Sequence, residues 1–377
     1  MAGTALDREL KPAGLTRFAL AQSEDDRAIR GLLRENPMRG AVSLTLEREP
    51  NYFRGMEMAA GEDQTIVAFS GSRLVCMGRC VRRDCWIDGR AQSAGYLAEL
   101  RLDKESRGQF RILRDGYAFF NALQRDNPAH LYFTSIAADN DRARRLLERG
   151  APKIPSYSYL AKLDTLVVAV PRRPRAVKLQ IEQATPDQLP AVLQLLNSHA
   201  RRHQLATVWT TEILRDLENH GLPTRRFLLA FSGGEMVACG ALWDQRSFRQ
   251  TVIRGYTPAL SAARPLINAL GWPFGRPHLP RPGSVLAHAV LSPLAFERGA
   301  EAILPDFVEA AFPLAAQAGV EFLTLALPAS DQRLAVLRRR FTIRTWRSRL
   351  YRVDWPERAA FEFQDQDAPF LPDVSLL

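Results

Sequence analysis

The chain carries a copy of itself. Residues 67–78 read VAFSGSRLVCMG and residues 229–240 read LAFSGGEMVACG, with identity at Ala68/Ala230, Phe69/Phe231, Ser70/Ser232, Gly71/Gly233, Val75/Val237 and Gly78/Gly240. Each copy is an apolar run, a Ser-Gly turn and a second apolar run, the pattern of a β-hairpin. The flanks repeat in the same order. FALAQSEDDRAIRGLL (18–33) parallels QIEQATPDQLPAVLQLL (180–196): a short alternating strand, Ser23 or Thr185 as a helix N-cap, then an amphipathic helix. LAELRL (97–102) parallels LAHAVL (286–291). HLYFTSIAADNDRARRLLER (130–149) parallels VEFLTLALPASDQRLAVLRRR (320–340), with Thr134 matching Thr324 and Asp141 matching Asp331. The offset grows from 162 to 190, so the second copy holds an insertion, and the Pro- and Gly-rich stretch 258–282 is the place for it. A pattern that returns in order over four segments sets the fold as two similar units.

The length of 377 residues fits two domains. The expected organisation is an N-terminal extension (1–16), a first unit (17–170), a linker (171–178) stiffened by Pro171 and Pro174, a second unit (179–355) and a tail (356–377) packed as an extended strap. Within a unit the order is strand, helix, hairpin, long strand (93–102), helix (109–125), strand (131–137) and a helix capped by Asp139 or Asn140. This is the α/β (α+β) class: two tandem units, each a central mixed β-sheet flanked by helices.

Composition narrows the function classes. With 46% hydrophobic residues the chain is globular. No apolar run approaches the ~20 residues of a membrane-spanning helix. Residues 1–12 carry Asp7, Glu9 and Lys11 and no apolar segment, which is not a secretory signal. A cytoplasmic protein without membrane contact is expected. Cys76, Cys80, Cys85 and Cys239 match no zinc or redox spacing, so buried, reduced thiols and no metal are expected. His199 and His203 share a face of one helix without a third ligand and read as a solvated face. The net charge of +10 suits phosphates of a cofactor, an acidic substrate or RNA.

The segment ELRLDKESRGQFRILRDG (99–116) is a strand, a turn with Arg107, Gly108 and Gln109, and a helix. IAADNDRARRLLERG (136–150) follows, with Asn140, Ala143 and Leu146 at matching spacing. Together they resemble the GNAT superfamily of N-acyltransferases, and the repeat resembles its tandem two-domain members. The family's turn reads Arg/Gln-x-x-Gly-x-Gly/Ala, because amides at a helix N-terminus cradle the pyrophosphate of acyl-coenzyme A. This chain departs from it: Phe110 and Ile112 stand where glycine, and glycine or alanine, are usual. The family's tyrosine, a general acid toward the thiolate, is replaced by Leu147 and, in the second copy, by Leu337. SPLAFERGAEAILPDF (292–307) offers Arg298, Gly299, Ala300 and Ala302 without the spacing.

The resemblance implies an N-acyltransferase that moves an acetyl or other acyl group from acyl-CoA to an amine of a small molecule or peptide. The first unit would hold the donor. The main chain of Leu100, Arg101 and Leu102 would pair with the pantetheine, and Arg107 with the amides of Gly108, Gln109, Phe110, Arg111 and Ile112 would face the pyrophosphate, near Asn140. Glu99, on the strand just before the turn, is the expected base, and His288, its partner in the repeat, a second one. Tyr96, Tyr117, Tyr157 and Tyr159 are the tyrosines left in that unit, expected in packing roles. The second unit would be degenerate and shape the acceptor pocket, and a monomer is expected. Two other readings remain at this level. One is a non-catalytic scaffold or ligand sensor. The other is a tRNA-dependent aminoacyltransferase, motivated by the basic, aromatic stretch RRRFTIRTWRSRLYR (338–352) as a strand pair.

Overall fold

The computed structural model describes residues 16–38, 40–55, 61–150, 152–271 and 278–376. All but the last residue of the expected N-terminal extension, and 272–277 within the insertion, lie outside them.

In the first half the order is β1 (Thr16–Leu20), α1 (Asp26–Arg34), β2 (Val42–Glu47), β3 (Glu62–Ser70), β4 (Arg73–Ile87), β5 (Arg90–Leu102), α2 (Phe110–Leu123), β6 (Leu131–Ala137), α3 (Asp141–Glu148) and β7 (Ser156–Ala169). The second half runs β8 (Gln180–Gln183), α4 (Leu189–Ala200), β9 (Ala206–Thr207), α5 (Thr211–Asn219), β10 (Phe227–Ser232), β11 (Glu235–Trp243), β12 (Gln250–Tyr256), α6 (Pro258–Gly271), β13 (His288–Phe296), α7 (Leu304–Gln317), β14 (Phe322–Pro328), α8 (Arg333–Arg340) and β15 (Ile343–Asp354). Each repeated hairpin forms as expected, closed by glycines with positive φ (Gly71 at 62°, Gly233 at 60°). Thr185 forms a capping box with Gln188, but in the first half Gln22, not Ser23, takes that place opposite Asp25.

One 13-stranded sheet unites the halves in the order β1-β3-β4-β5-β6-β15-β7-β14-β13-β11-β10-β8, with β9 on the side of β4. The last strand of each half is exchanged. β15 pairs with β6 of the first half, β7 pairs with β14 of the second, and the two exchanged strands pair antiparallel at the centre. A separate two-stranded ribbon joins β12 to β2.

The exchange decides what the basic stretch does. It is not a strand pair: β15 is one strand, paired on both edges, and α8 precedes it. Several of its arginines pair with acids of the chain. Arg338 and Arg347 reach the fully buried Asp164 (2.7 and 2.6 Å), Arg340 binds Glu309, and Arg352 binds Asp354 at 2.8 Å. These pairs take up part of the positive charge that motivated the alternative tRNA reading.

Apolar clusters lie on both halves, and the exchanged β7 adds Leu166 and Val168 to the core of the second. This core lies under α7, around Phe296, Phe307, Phe312 and Leu323. The tail packs as a strap. Phe361, Phe363 and Phe370 lie against the cluster of Tyr96, Leu131 and Phe133, and Asp88 accepts the amides of Gln364 and Asp365. Arg83 and Gln245 then hold the carbonyls of Leu376 and Ser375 at 2.7 and 2.8 Å. The four cysteines are buried and free, and burial raises the thiols of Cys76, Cys80 and Cys85 to about 12.

Candidate active site

β5 and β6 run parallel from Ala94/Leu131 to Leu97/Thr134 and then part. The hydroxyl of Thr134 ends the ladder by donating to the carbonyl of Leu97 at 2.6 Å. Past that point β6 pairs only with β15, so the edge of Leu100, Arg101 and Leu102 that faces the gap has no ladder. A β-bulge sits at the opening. Met77 faces Arg101 but Arg79 faces Ala98, which leaves Glu99 and Leu100 opposite Gly78. Glu99 holds φ at +52°, a conformation rare for a residue with a side chain, at this break in the strand.

Ion pairs hold that conformation. Glu99 accepts from Arg48 Nη2 at 2.6 Å and Nε at 3.1 Å, and from the Tyr52 hydroxyl at 2.9 Å, with Arg79 at 3.8 Å. Arg79 is in turn clamped by Asp63 at 2.8 and 2.9 Å. Burial pushes the Glu99 carboxyl up, but Arg48 and Arg79 outweigh it and hold the group well below the usual carboxylate range. Glu99, expected as a base, thus stands at the break in the strand as an ion-paired carboxylate. Arg249 approaches the cluster from the second half, and burial beside Arg48 and Arg79 lowers its guanidinium to about 9.

The repeat alignment at His288 is corrected. β13 has its own bulge, at Ser292 and Pro293 opposite Ala241. Leu100 lies over Gly78 in the first half, and Leu294 lies over Gly240 in the second. Pro293, not His288, is therefore the counterpart of Glu99. His288 opens β13, where Nε2 lies 3.1 Å from the Thr251 hydroxyl and the buried Nδ1 has no hydrogen-bond partner among the described residues. Burial, only partly opposed by Asp244, lowers it to about 4.

The turn after β5 is narrower than expected. The amides of Gln109, Phe110 and Ile112 donate to the carbonyls of Ser106, Gly108 and Gln109. Those of Arg107 and Gly108 make no hydrogen bond among the described residues, just ahead of α2. Asp103 stabilises the turn by accepting the Ser106 amide at 2.7 Å. The bulk of Ile112 does not block it, because this side chain packs in the core with Phe18, Val75 and Phe119. Arg107 is exposed and bonds Asn36 at 2.8 Å. Asn140 caps α3 through the Ala143 amide.

The equivalent turn of the second half is closed from within. Glu301 accepts the Gly299 amide at 2.8 Å and binds Arg202 at 3.1 Å, so a carboxylate of the chain occupies the anion position. The second splay, past Val290/Thr324, opens on a small cavity of about 70 Å3 bounded by Pro293, Leu294, Leu327 and the tail residues Pro372, Asp373 and Val374. His199, expected on a solvated face, lines this cavity. It is buried, 2.8 Å from Arg202, and burial beside His203 and Arg202 lowers it to about 3.

Leu147 is buried against Ile136 and Tyr351, and Leu337 is in the main core, so neither position offers a proton. Tyr117 and Tyr157, expected in packing roles, do pack against the apolar cluster of Phe120 and Tyr132, and the fold also brings their hydroxyls together. The hydroxyls of Tyr117 on α2 and Tyr157 on β7 are 2.5 Å apart, in one cluster with Leu97 at the mouth of the splay. Burial raises Tyr117 to about 12 and Tyr157 well above its ordinary value, so both stay protonated.

No protein-family profile matches the sequence, and no curated protein matches it either. The fold does have counterparts. Crystal structures of Saccharomyces cerevisiae N-myristoyltransferase with bound myristoyl-CoA align at a TM-score of 0.62 and 10% identity, over 97% of this chain and 92% of that one. A GCN5-related N-acetyltransferase from Sphaerobacter thermophilus aligns at a TM-score of 0.57 and 13% identity, over 95% of this chain and 99% of the other. Over nearly its whole length this chain therefore shares the fold of these structures, with two similar halves joined in one sheet.

Proposed function

We propose that the protein is an acyl-CoA-dependent N-acyltransferase whose donor site is in the first half. The observation that carries this is the asymmetry of the two turns: the amides of Arg107 and Gly108 are open, and that of Gly299 is closed by Glu301. Pantetheine would pair with the free edge of Leu100, Arg101 and Leu102, and the pyrophosphate would meet Arg107 and the Gly108 amide at the start of α2. The acceptor, an amine of a small molecule or peptide, would approach the bulge between the halves, so the second half would shape its pocket.

In this reading the amine nitrogen attacks the thioester carbonyl, the amide C–N bond forms and the C–S bond breaks. The Tyr117–Tyr157 pair supplies a proton to the departing thiolate. Glu99 is a positioning residue, anchored to Arg48. Neither Glu99 nor His288 is tuned to take a proton near neutrality, so the acceptor reacts as the free amine and its proton leaves to solvent. The rate then rises with pH up to the acceptor's own pKa.

The test is thermal unfolding with acetyl-CoA, longer acyl-CoA esters and free CoA. A ligand at 100 times its Kd stabilises by about 2.7 kcal/mol. A shift that varies with acyl length supports the reading and identifies the donor. No shift with any of them removes it.

A further inference from the structure

Away from both splays, the insertion of the second half presents an unusual surface. α6 turns Leu266, Ile267 and Leu270 to solvent at 62%, 42% and 63% exposure. Pro258, Ala259, Ser261, Ala262, Pro265 and Ala269 are exposed on the same helix, and its one charged residue, Arg264, is half-buried. The helix is held by polar contacts rather than by a core. Asn268 exchanges hydrogen bonds with the backbone of Leu279, and among its residues only Gly271 is fully buried. Val285 and Leu46, on the ribbon beside it, are also exposed, at 45% and 43%.

The insertion's own sequence carries charge of one sign. No acidic residue stands between Asp244 and Glu297, whereas residues 250–287 contain Arg254, Arg264, Arg276 and Arg281. Arg254 is neutralised by Glu47 of β2, while Arg281 is exposed and Arg264 sits on the helix itself. An apolar helix face that carries Arg264 and adjoins the exposed Arg281 is complementary to a layer with an anionic surface and an apolar interior. It is not complementary to a copy of itself, because two such insertions would bring like charges together.

We propose that α6 docks the protein on an anionic lipid surface. The helix would lie in the headgroup plane, with Leu266, Ile267 and Leu270 at the acyl boundary and Arg264 and Arg281 toward phosphates. Its 14 residues make it roughly 21 Å long, too short to cross a ~30 Å hydrocarbon core, so it rests on the bilayer. This departs from the expectation of no membrane contact, and it stands independently of the acyl-transfer reading.

The experiment is co-sedimentation of the full chain with vesicles of phosphatidylglycerol and phosphatidylcholine, beside vesicles of phosphatidylcholine alone. The expected result is pelleting with the anionic vesicles only, weakened by salt. It should fall at least about tenfold in a Leu266→Glu/Leu270→Glu variant whose melting temperature is unchanged. Absence of pelleting, equal pelleting on neutral vesicles, or full retention by that variant would overturn the proposal. So would a concentration-dependent dimer in sedimentation velocity that the variant abolishes, which would give the face to a second copy.

Discussion

β5 and β13 break at the same place by different means. In the first half the bulge residue is Glu99, charged and tied to Arg48, Arg79 and Tyr52. In the second half it is the neutral Ser292-Pro293, and Ser292 bonds Asp373 and Ser375 of the tail at 2.5 and 3.0 Å. The turns that follow differ in the same sense. One leaves the Gly108 amide open, and the other spends the Gly299 amide on Glu301. Duplication preserved the backbone, but the chain supplies its own anion in one copy only. A site of this fold is therefore opened or closed by where its carboxylates fall, more than by whether its glycines are kept.

The largest expected effect is on the first bulge. Glu99→Gln removes the counter-charge of Arg48, which is 3% exposed, and should cost about 3–5 kcal/mol. Ser292→Ala in the second bulge loses a hydrogen bond to the Asp373 carboxylate and one to Ser375, and should cost less, about 1.5–3 kcal/mol. Equal losses in chemical denaturation would break the comparison. Next, Phe110→Glu sets a carboxylate two residues past Gly108, as Glu301 stands two residues past Gly299. Acyl-CoA affinity measured by calorimetry should fall at least tenfold, about 1.4 kcal/mol, and an unchanged affinity would move the donor elsewhere.

A smaller effect concerns pH. His199 and His288 have folded pKa values of about 3 and about 4, below their ordinary 6.5. The unfolded chain binds more protons through that window, so the stability they contribute is present above about pH 6.5 and is lost as pH falls toward 4. Denaturation at pH 7 and pH 5 should show the loss, and His288→Gln should reduce it. A pH dependence unchanged in that variant would mean that His288 is not held neutral. The smallest effect belongs to Glu301→Gln. With its side chain 32% exposed, it should shift stability by no more than about 1 kcal/mol. Acyl-CoA affinity at the first half should stay the same, and a drop would place the donor at the second turn.

Much of this was readable before any coordinates. The repeated hairpin marked both halves, the 93–102 run marked β5, and 131–137 marked β6 to the residue. Thr134 and Thr324 were matched by sequence, and both hydroxyls bond a carbonyl of the strand alongside, those of Leu97 and Ala289. Other features were misread for physical reasons. The similarity of LAELRL to LAHAVL placed His288 opposite Glu99, because a bulge shifts register without leaving a residue signature. His199 looked solvated because a helical period shows which residues share a face and not what covers that face.

The sequence by itself determined the α/β class, the two copies, the hairpins and the turn that begins α2, because periodicity, glycine turns and repeat order are local properties of a chain. The tertiary structure alone decided that β7 and β15 change places, that Glu99 is anchored to Arg48, that Tyr117 meets Tyr157, and that Glu301 accepts the Gly299 amide. Arg48 is 51 positions from Glu99, and Tyr117 is 40 from Tyr157. Burial and charge are set by whatever the rest of the fold brings to a residue, and no local pattern encodes that.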